Sequence, residues 1–150
     1  IPGNHDRESM MHIGDALEIY YENNENVTVD NSMSMMKAFH YGKCLIVNDH
    51  GDGAKLNDLP GIVSQRYREL WSEVRHVEVH RGHYHTNKAY KMQAVEELNG
   101  LTVRNLSSMS ATDEWHDMKG FVGNIKKASA FIWSYYNGVQ AKLNYNVHTS

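Results

Sequence analysis

The run Cys44-Leu45-Ile46-Val47 does most to limit what this chain can fold into. Four consecutive apolar residues with no polar alternation form a strand buried within a sheet, not one lying half in water. The character then reverses. Asn48 closes the strand, predicted over residues 44–48, and residues 49–55 (Asp-His-Gly-Asp-Gly-Ala-Lys) make a polar loop at its carboxyl end. Residues 36–41 precede it across Gly42-Lys43 and read as its hairpin partner.

Other elements follow from spacing. Residues 8–21 place Met10, Met11, Ile13, Leu17 and Tyr20/Tyr21 at helical intervals, with Asp6 and Ser9 as candidate caps, until the polar cluster 23–26 stops the helix. Residues 27–29 (Val-Thr-Val) predict a short strand. Residues 59–74 predict one amphipathic helix, because Ile62, Val63, Tyr67, Leu70, Trp71 and Val74 share a face. Residues 76–80 alternate around Val77 and Val79, and His76 and His80 then occupy the solvent side of a strand. Beyond Tyr90 the pattern is mostly β, with strands at 91–96, 101–106, 129–136 and 140–147. Asn137-Gly138 is a hairpin signal, and a short helix over 111–118 interrupts the strands. The fold class is therefore α/β, a mixed sheet followed by an antiparallel β half.

With 150 residues the chain forms a single domain spanning 1–150, and no repeat, low-complexity tract or proline-rich linker divides it. Apolar residues at 41% and charged residues at 22% argue against disorder, and a net charge of -3 argues against a strongly basic nucleic-acid arm. No apolar run approaches the ~18 residues of a membrane span. One cysteine, Cys44, cannot close an internal disulfide, so a reducing cytoplasm is the expected compartment. The chain opens Ile1-Pro2-Gly3-Asn4-His5-Asp6, with neither an initiator methionine nor a signal-peptide pattern, which suggests a piece of a longer protein.

Ten histidines are several times ordinary usage, and histidine is the commonest side-chain metal ligand. Three loops concentrate such residues: Gly3-Asn4-His5-Asp6, Asp49-His50-Gly51-Asp52 and Gly82-His83-Tyr84-His85. Open α/β sheets bind ligands beyond their strand carboxyl ends, so loops of this kind can converge. Each has a plainer explanation alone. Asn-His-Asp can cap a helix, and His50 can be an ordinary loop residue. His83-x-His85 is stronger, since imidazoles two apart on extended backbone point the same way. Asp49 and Asp52 flank His50 and could reach a metal through water, but turn chemistry explains them equally well, and Arg81 fits a solvated strand end better than a phosphate contact. Trp115 and His116 are cleft-lining candidates, although a tryptophan on a short helix is more often a packing anchor. His12, His40, His76, His80 and His148 fall outside the motifs and read as surface or partly buried structural residues. Met33, Met35 and Met36 read as flexible packing.

In order, Gly-Asn-His-Asp, His-Gly-Asp and Gly-His-x-His resemble the later motifs of calcineurin-like metallophosphoesterases, over Gly3 to His85. Residues 112–121 (Thr-Asp-Glu-Trp-His-Asp-Met-Lys-Gly-Phe) are similar to phage and prophage members of that family. The resemblance implies a four-layer αββα sandwich and two divalent ions, Mn²⁺ before Fe, Zn²⁺ or Ni²⁺. It assigns Asn4, His50 and His83 to one ion and His85 to the other. His5 becomes the histidine that meets the scissile phosphate, and Asp6 the carboxylate that orients it. The family's Asp-x-His and Gly-Asp-x-x-Asp motifs occur nowhere in the 150 residues. The resemblance therefore places them upstream of Ile1 and makes this chain the carboxyl-terminal two-thirds of the domain, inactive or weak alone.

The implied activity is hydrolysis of a phosphoester, preferentially a phosphodiester in nucleic acid or a nucleotide. The implied partners are that substrate, the upstream segment or a second copy of the chain, and no membrane. A non-catalytic metal-binding or structural module and a plain interaction domain are the rival readings.

Overall fold

The apolar run at 44–47 is the centre of the fold. The structure, a computed structural model, describes residues 1–3, 6–82, 95–107 and 127–146. Its elements are α1 (Arg7–Tyr21), β1 (Met36–Tyr41), β2 (Cys44–Asp49), α2 (Leu59–Arg66), α3 (Arg68–Glu73), β3 (His76–Arg81), β4 (Val95–Leu98), β5 (Leu101–Asn105), β6 (Lys127–Ser134) and β7 (Gly138–Asn146). A five-stranded sheet has the order β1-β2-β3-β5-β4, and β6 and β7 form a second, two-stranded sheet. β2, β3 and β5 run parallel, while β1 and β4 are added antiparallel at the two edges. Cys44, Leu45, Ile46 and Val47 are each at most 2% exposed, as an apolar run covered on both faces must be.

Because side chains alternate across a strand, the five-stranded sheet has two different faces. On one, Leu45, Val47, Val77, Val79, Leu101 and Val103 form a single apolar cluster with Leu59 and Val63 of α2. Each such side chain contributes ~1.5–3 kcal/mol relative to leaving it in water. Pro60 at the start of α2 supplies no amide proton where the helix needs none.

The opposite face is covered by the β6–β7 hairpin. Lys43 N–H donates to Tyr135 O (2.7 Å), the Cys44 thiol to Ser134 O (3.4 Å), and His76 Nε2 lies 3.1 Å from Tyr136 O. The three-residue hairpin loop 135–137 closes on Gly138 at φ +73°, and a Cβ there would sit 3.1 Å from the His76 ring.

Several sequence expectations change. Residues 27–29 form no strand: Val27 N–H closes a turn onto Asn24 O, and no strand among the described residues pairs with them. The single helix expected over 59–74 is two, broken where Tyr67 leaves the helical region (φ -117°, ψ 40°) and its hydroxyl donates to Met36 O. β4 and β5 do pair antiparallel, yet they extend the first sheet because β5 pairs parallel with β3. His80 does not face solvent, whereas His76 at the start of the strand is half-buried. The hairpin covers that side of β3, and His80 is 8% exposed. The strand expected at 91–96 is described only from Val95, and the helix expected over 111–118, with Trp115 and His116, lies outside the described residues. The helix at 8–21 is present as α1, with Gly14 its only buried residue, so Ile13, Ile19 and Tyr20 are exposed.

Candidate functional site

The parallel pair β2–β3 places the His50 loop beside Gly82, the residue that precedes His83. Asp49 is in register with Arg81, so residues 50 and 82 both leave the sheet at its carboxyl edge. Gly82 N–H donates to Asp49 O (3.3 Å), and a Cβ on Gly82 would lie 3.6 Å from His50 O. The third loop arrives from the start of the chain. A Cβ on Gly3 would sit 2.9 Å from Cε1 and 3.3 Å from Nδ1 of His50, so the Gly3 backbone lies directly against the imidazole and only glycine fits without displacing it. Gly3, His50 and Gly82, remote in sequence, are thus contiguous.

Asp6 occupies the N-cap position of α1, but its side chain makes no cap hydrogen bond there. It turns back, and Oδ1 accepts from Gly3 N–H at 2.5 Å. Asp6 is thus tied to the Gly3 backbone and does not cap the helix. His50 is tied on its other side by N–H donation to Met35 O (3.0 Å), where the chain approaches β1.

Arg81 is the residue whose role sequence reasoning misread. It is not a solvated strand end: it is fully buried. Its Nε donates to Asp49 Oδ2 (2.8 Å) and its Nη2 donates to the carbonyls of Gly51 (3.1 Å) and Ala54 (2.7 Å). One guanidinium therefore holds the end of β2 and two points of the His50 loop, a use of the rigid donor fork that lysine cannot reproduce. Asp49, expected as a turn residue, is the anionic half of this buried pair. The missed signal is parity, since Arg81 shares its side of β3 with Val77 and Val79 and must point towards the helix-covered face.

Of the six residues assigned by resemblance, Asp6 and His50 are described and are bridged by the Gly3 backbone. Asn4, His5, His83 and His85 lie outside the described residues. Among the described residues, no three histidine, cysteine, aspartate or glutamate side chains come together as a metal cluster. Gly82, at the third corner, leads directly into His83-Tyr84-His85.

A second polar group lies on the hairpin face. Arg104 donates to both Glu78 oxygens (2.5 and 2.8 Å), and His80 Nε2 lies 3.2 Å from Glu78 Oε2. Burial pushes the Glu78 carboxyl up, but the hydrogen bonds from Arg104 and His80 outweigh it and hold the group below the usual glutamate range. The rings of Phe131 and Trp133 lie 4.5 and 6.1 Å from that of His80. A cleft of about 560 Å³ adjoins this group, and its described lining includes His76, Glu78, Leu98, Thr102, Arg104 and Gly138.

Among the described residues no helix is long and apolar enough to cross a membrane. No protein-family model, curated protein or solved structure matches the chain.

Proposed function

We propose that this chain carries the later part of the active site of a calcineurin-like, dinuclear metal-dependent phosphoesterase. It would hydrolyse a phosphoester, with a phosphodiester of nucleic acid or a nucleotide as the favoured substrate class, in the cytoplasm. One observation carries this reading: Gly3, His50 and Gly82 are in contact at the carboxyl edge of β2 and β3, and each stands in a separate ligand-rich loop. Helices, a mixed sheet and a second sheet stacked in that order agree with part of an αββα sandwich.

In this reading Asn4, His50 and His83 hold one divalent ion and His85 contributes to a second, with Mn²⁺ favoured over Fe, Zn²⁺ or Ni²⁺. When bound, such a pair supplies Lewis acidity that polarises phosphoryl oxygens and acidifies water. The protein's own part is positional and acid–base. His5 stands at the phosphate and holds the proton that the leaving oxygen takes up. Asp6 is the carboxylate that orients His5, and its bond from Gly3 N–H holds it beside the His50 ring. The Gly3 backbone keeps the His50 ring in place from one side.

The test is Mn²⁺-dependent hydrolysis of bis(p-nitrophenyl) phosphate by the full-length protein. His5→Ala lowers kcat about 10²- to 10⁴-fold, as removal of a positioned general acid does, and His85→Ala abolishes metal-dependent turnover. Absence of hydrolysis with Mn²⁺, Fe²⁺, Zn²⁺ and Ni²⁺ alike rejects the enzyme and leaves a metal-binding or structural module.

A further inference from the structure

We propose that Arg81 is the positioning residue of the metal centre: it acts on the ion through His50. The inference rests on the metal-site reading above and adds to it a residue that touches neither ion nor substrate. Three bonds from one side chain fix residues 49, 51 and 54, on both sides of His50. The loop between them contains Gly51, at φ +100°, and Gly53, with no heavy atom within 4 Å of where its Cβ would be. Two glycines in five residues give the loop conformational freedom that the guanidinium removes.

The clamp is also a link between loops. Arg81 immediately precedes Gly82, so the residue that pins the His50 loop is the last residue of β3, from which the His83–His85 loop departs. Asp49 completes the link twice, with its side chain on Arg81 and its carbonyl on Gly82 N–H. The His50 loop and the end of β3 at Gly82 are therefore held to one another. Partners of metal ligands that set ligand orientation typically govern affinity by about 10- to 100-fold.

The experiment is Mn²⁺ binding to the full-length protein, followed by electron paramagnetic resonance, with thermal melts on the same samples. Arg81→Lys keeps the positive charge and loses the fork, and its Mn²⁺ affinity falls about 10- to 100-fold at a temperature where it is fully folded. Leu59→Ala, a core variant that lowers Tm, leaves the affinity within about twofold, so lost stability alone does not produce the effect. Should Arg81→Lys fail to fold, the pair Arg81→Met with Asp49→Leu removes both buried charges and still lacks the clamp, and its affinity is equally low. If His50→Ala loses Mn²⁺ while Arg81→Lys, or the double variant, binds like the unaltered protein, the positioning role is wrong and the metal site stands. If His50→Ala binds Mn²⁺ as the unaltered protein does, the metal-site reading fails and the inference fails with it.

Discussion

The two faces of the central sheet are built from alternate residues of the same strands, yet they are held by different physics. On the helix face, Leu45, Val47, Val77, Val79 and Val103 meet Leu59 and Val63 in a dry apolar cluster. On the hairpin face, residues one step along, Glu78, His80 and Arg104, form a hydrogen-bonded charged group beneath Phe131 and Trp133. Non-directional burial tolerates small shifts, whereas a buried charge group is favourable only when every member is satisfied. The helix face therefore sets whether the chain folds, and the hairpin face sets how the second sheet is registered on the first. Arg81 departs from this division. It lies on the helix-face side of β3 but spends its charge on the loop at the sheet's edge, which joins the core to the candidate site.

The largest effect comes from breaking the helix face. Leu45 is fully buried at the centre of the cluster. Leu45→Ala removes its transfer free energy and leaves a cavity, and costs ~2–5 kcal/mol. Urea unfolding checks this. For a domain of this stability class, an appreciable unfolded fraction at 37 °C follows.

Breaking the hairpin face costs less and carries a signature in pH. Arg104→Met leaves the Glu78 carboxylate buried with its bidentate partner gone, a loss of ~1.5–3 kcal/mol, the range for a hydrogen bond to a charged group. Adding Glu78→Leu recovers most of that loss, because no unpaired charge remains. The Glu78 carboxyl is held below its reference value of 4.5 in the folded state. Its contribution is therefore fully present above about pH 4.5 and is lost as the pH falls through the folded-state value. Urea midpoints between pH 7 and pH 3 fall for the unaltered protein, and the fall is smaller in Glu78→Gln. An identical pH profile in both proteins would remove Glu78 from the account.

The same contrast explains what could be read in advance. The helix face was legible because its signals are local: the uninterrupted run at 44–47, Val77 and Val79 two apart, and the hairpin across Gly42-Lys43 all report on nearest neighbours in sequence. The hairpin face was not legible, because Glu78 and His80 become buried only when Phe131 and Trp133, some fifty residues later, fold over them. The same alternation that predicts a strand at 76–80 also describes a solvent-facing His80, and no local pattern separates the two. At the candidate site, motif order nominated the three loops, and of these the described residues Gly3, His50 and Gly82 lie against one another. The clamp by Arg81 escaped notice because two of its three partners are backbone carbonyls, which have no side-chain signature, and the third, Asp49, comes alongside only through the β2–β3 register.

The smallest effect is kinetic and uses the single cysteine as a reporter between the faces. Cys44 is fully buried, and burial pushes its thiol up from the ordinary value, so the reactive thiolate is scarce in the folded protein. Its Sγ also donates to Ser134 O of the hairpin, so the hairpin must move before a labelling reagent reaches it. If the hairpin face opens as a unit of lower stability than the helix face, labelling by a disulfide reagent proceeds through that local opening. Arg104→Met then speeds Cys44 labelling by about as much as its local destabilisation implies, roughly 10- to 100-fold for ~1.5–3 kcal/mol. It does so under conditions where far-ultraviolet circular dichroism is unchanged. Gln65→Ala, an exposed change on α2 beyond the helix face, leaves the rate unaltered. Labelling that tracks only global unfolding, with Arg104→Met and Leu45→Ala falling on one line of rate against stability, would mean that the two faces open together. The charged group would then be part of one cooperative core, not the seam along which the second sheet is held.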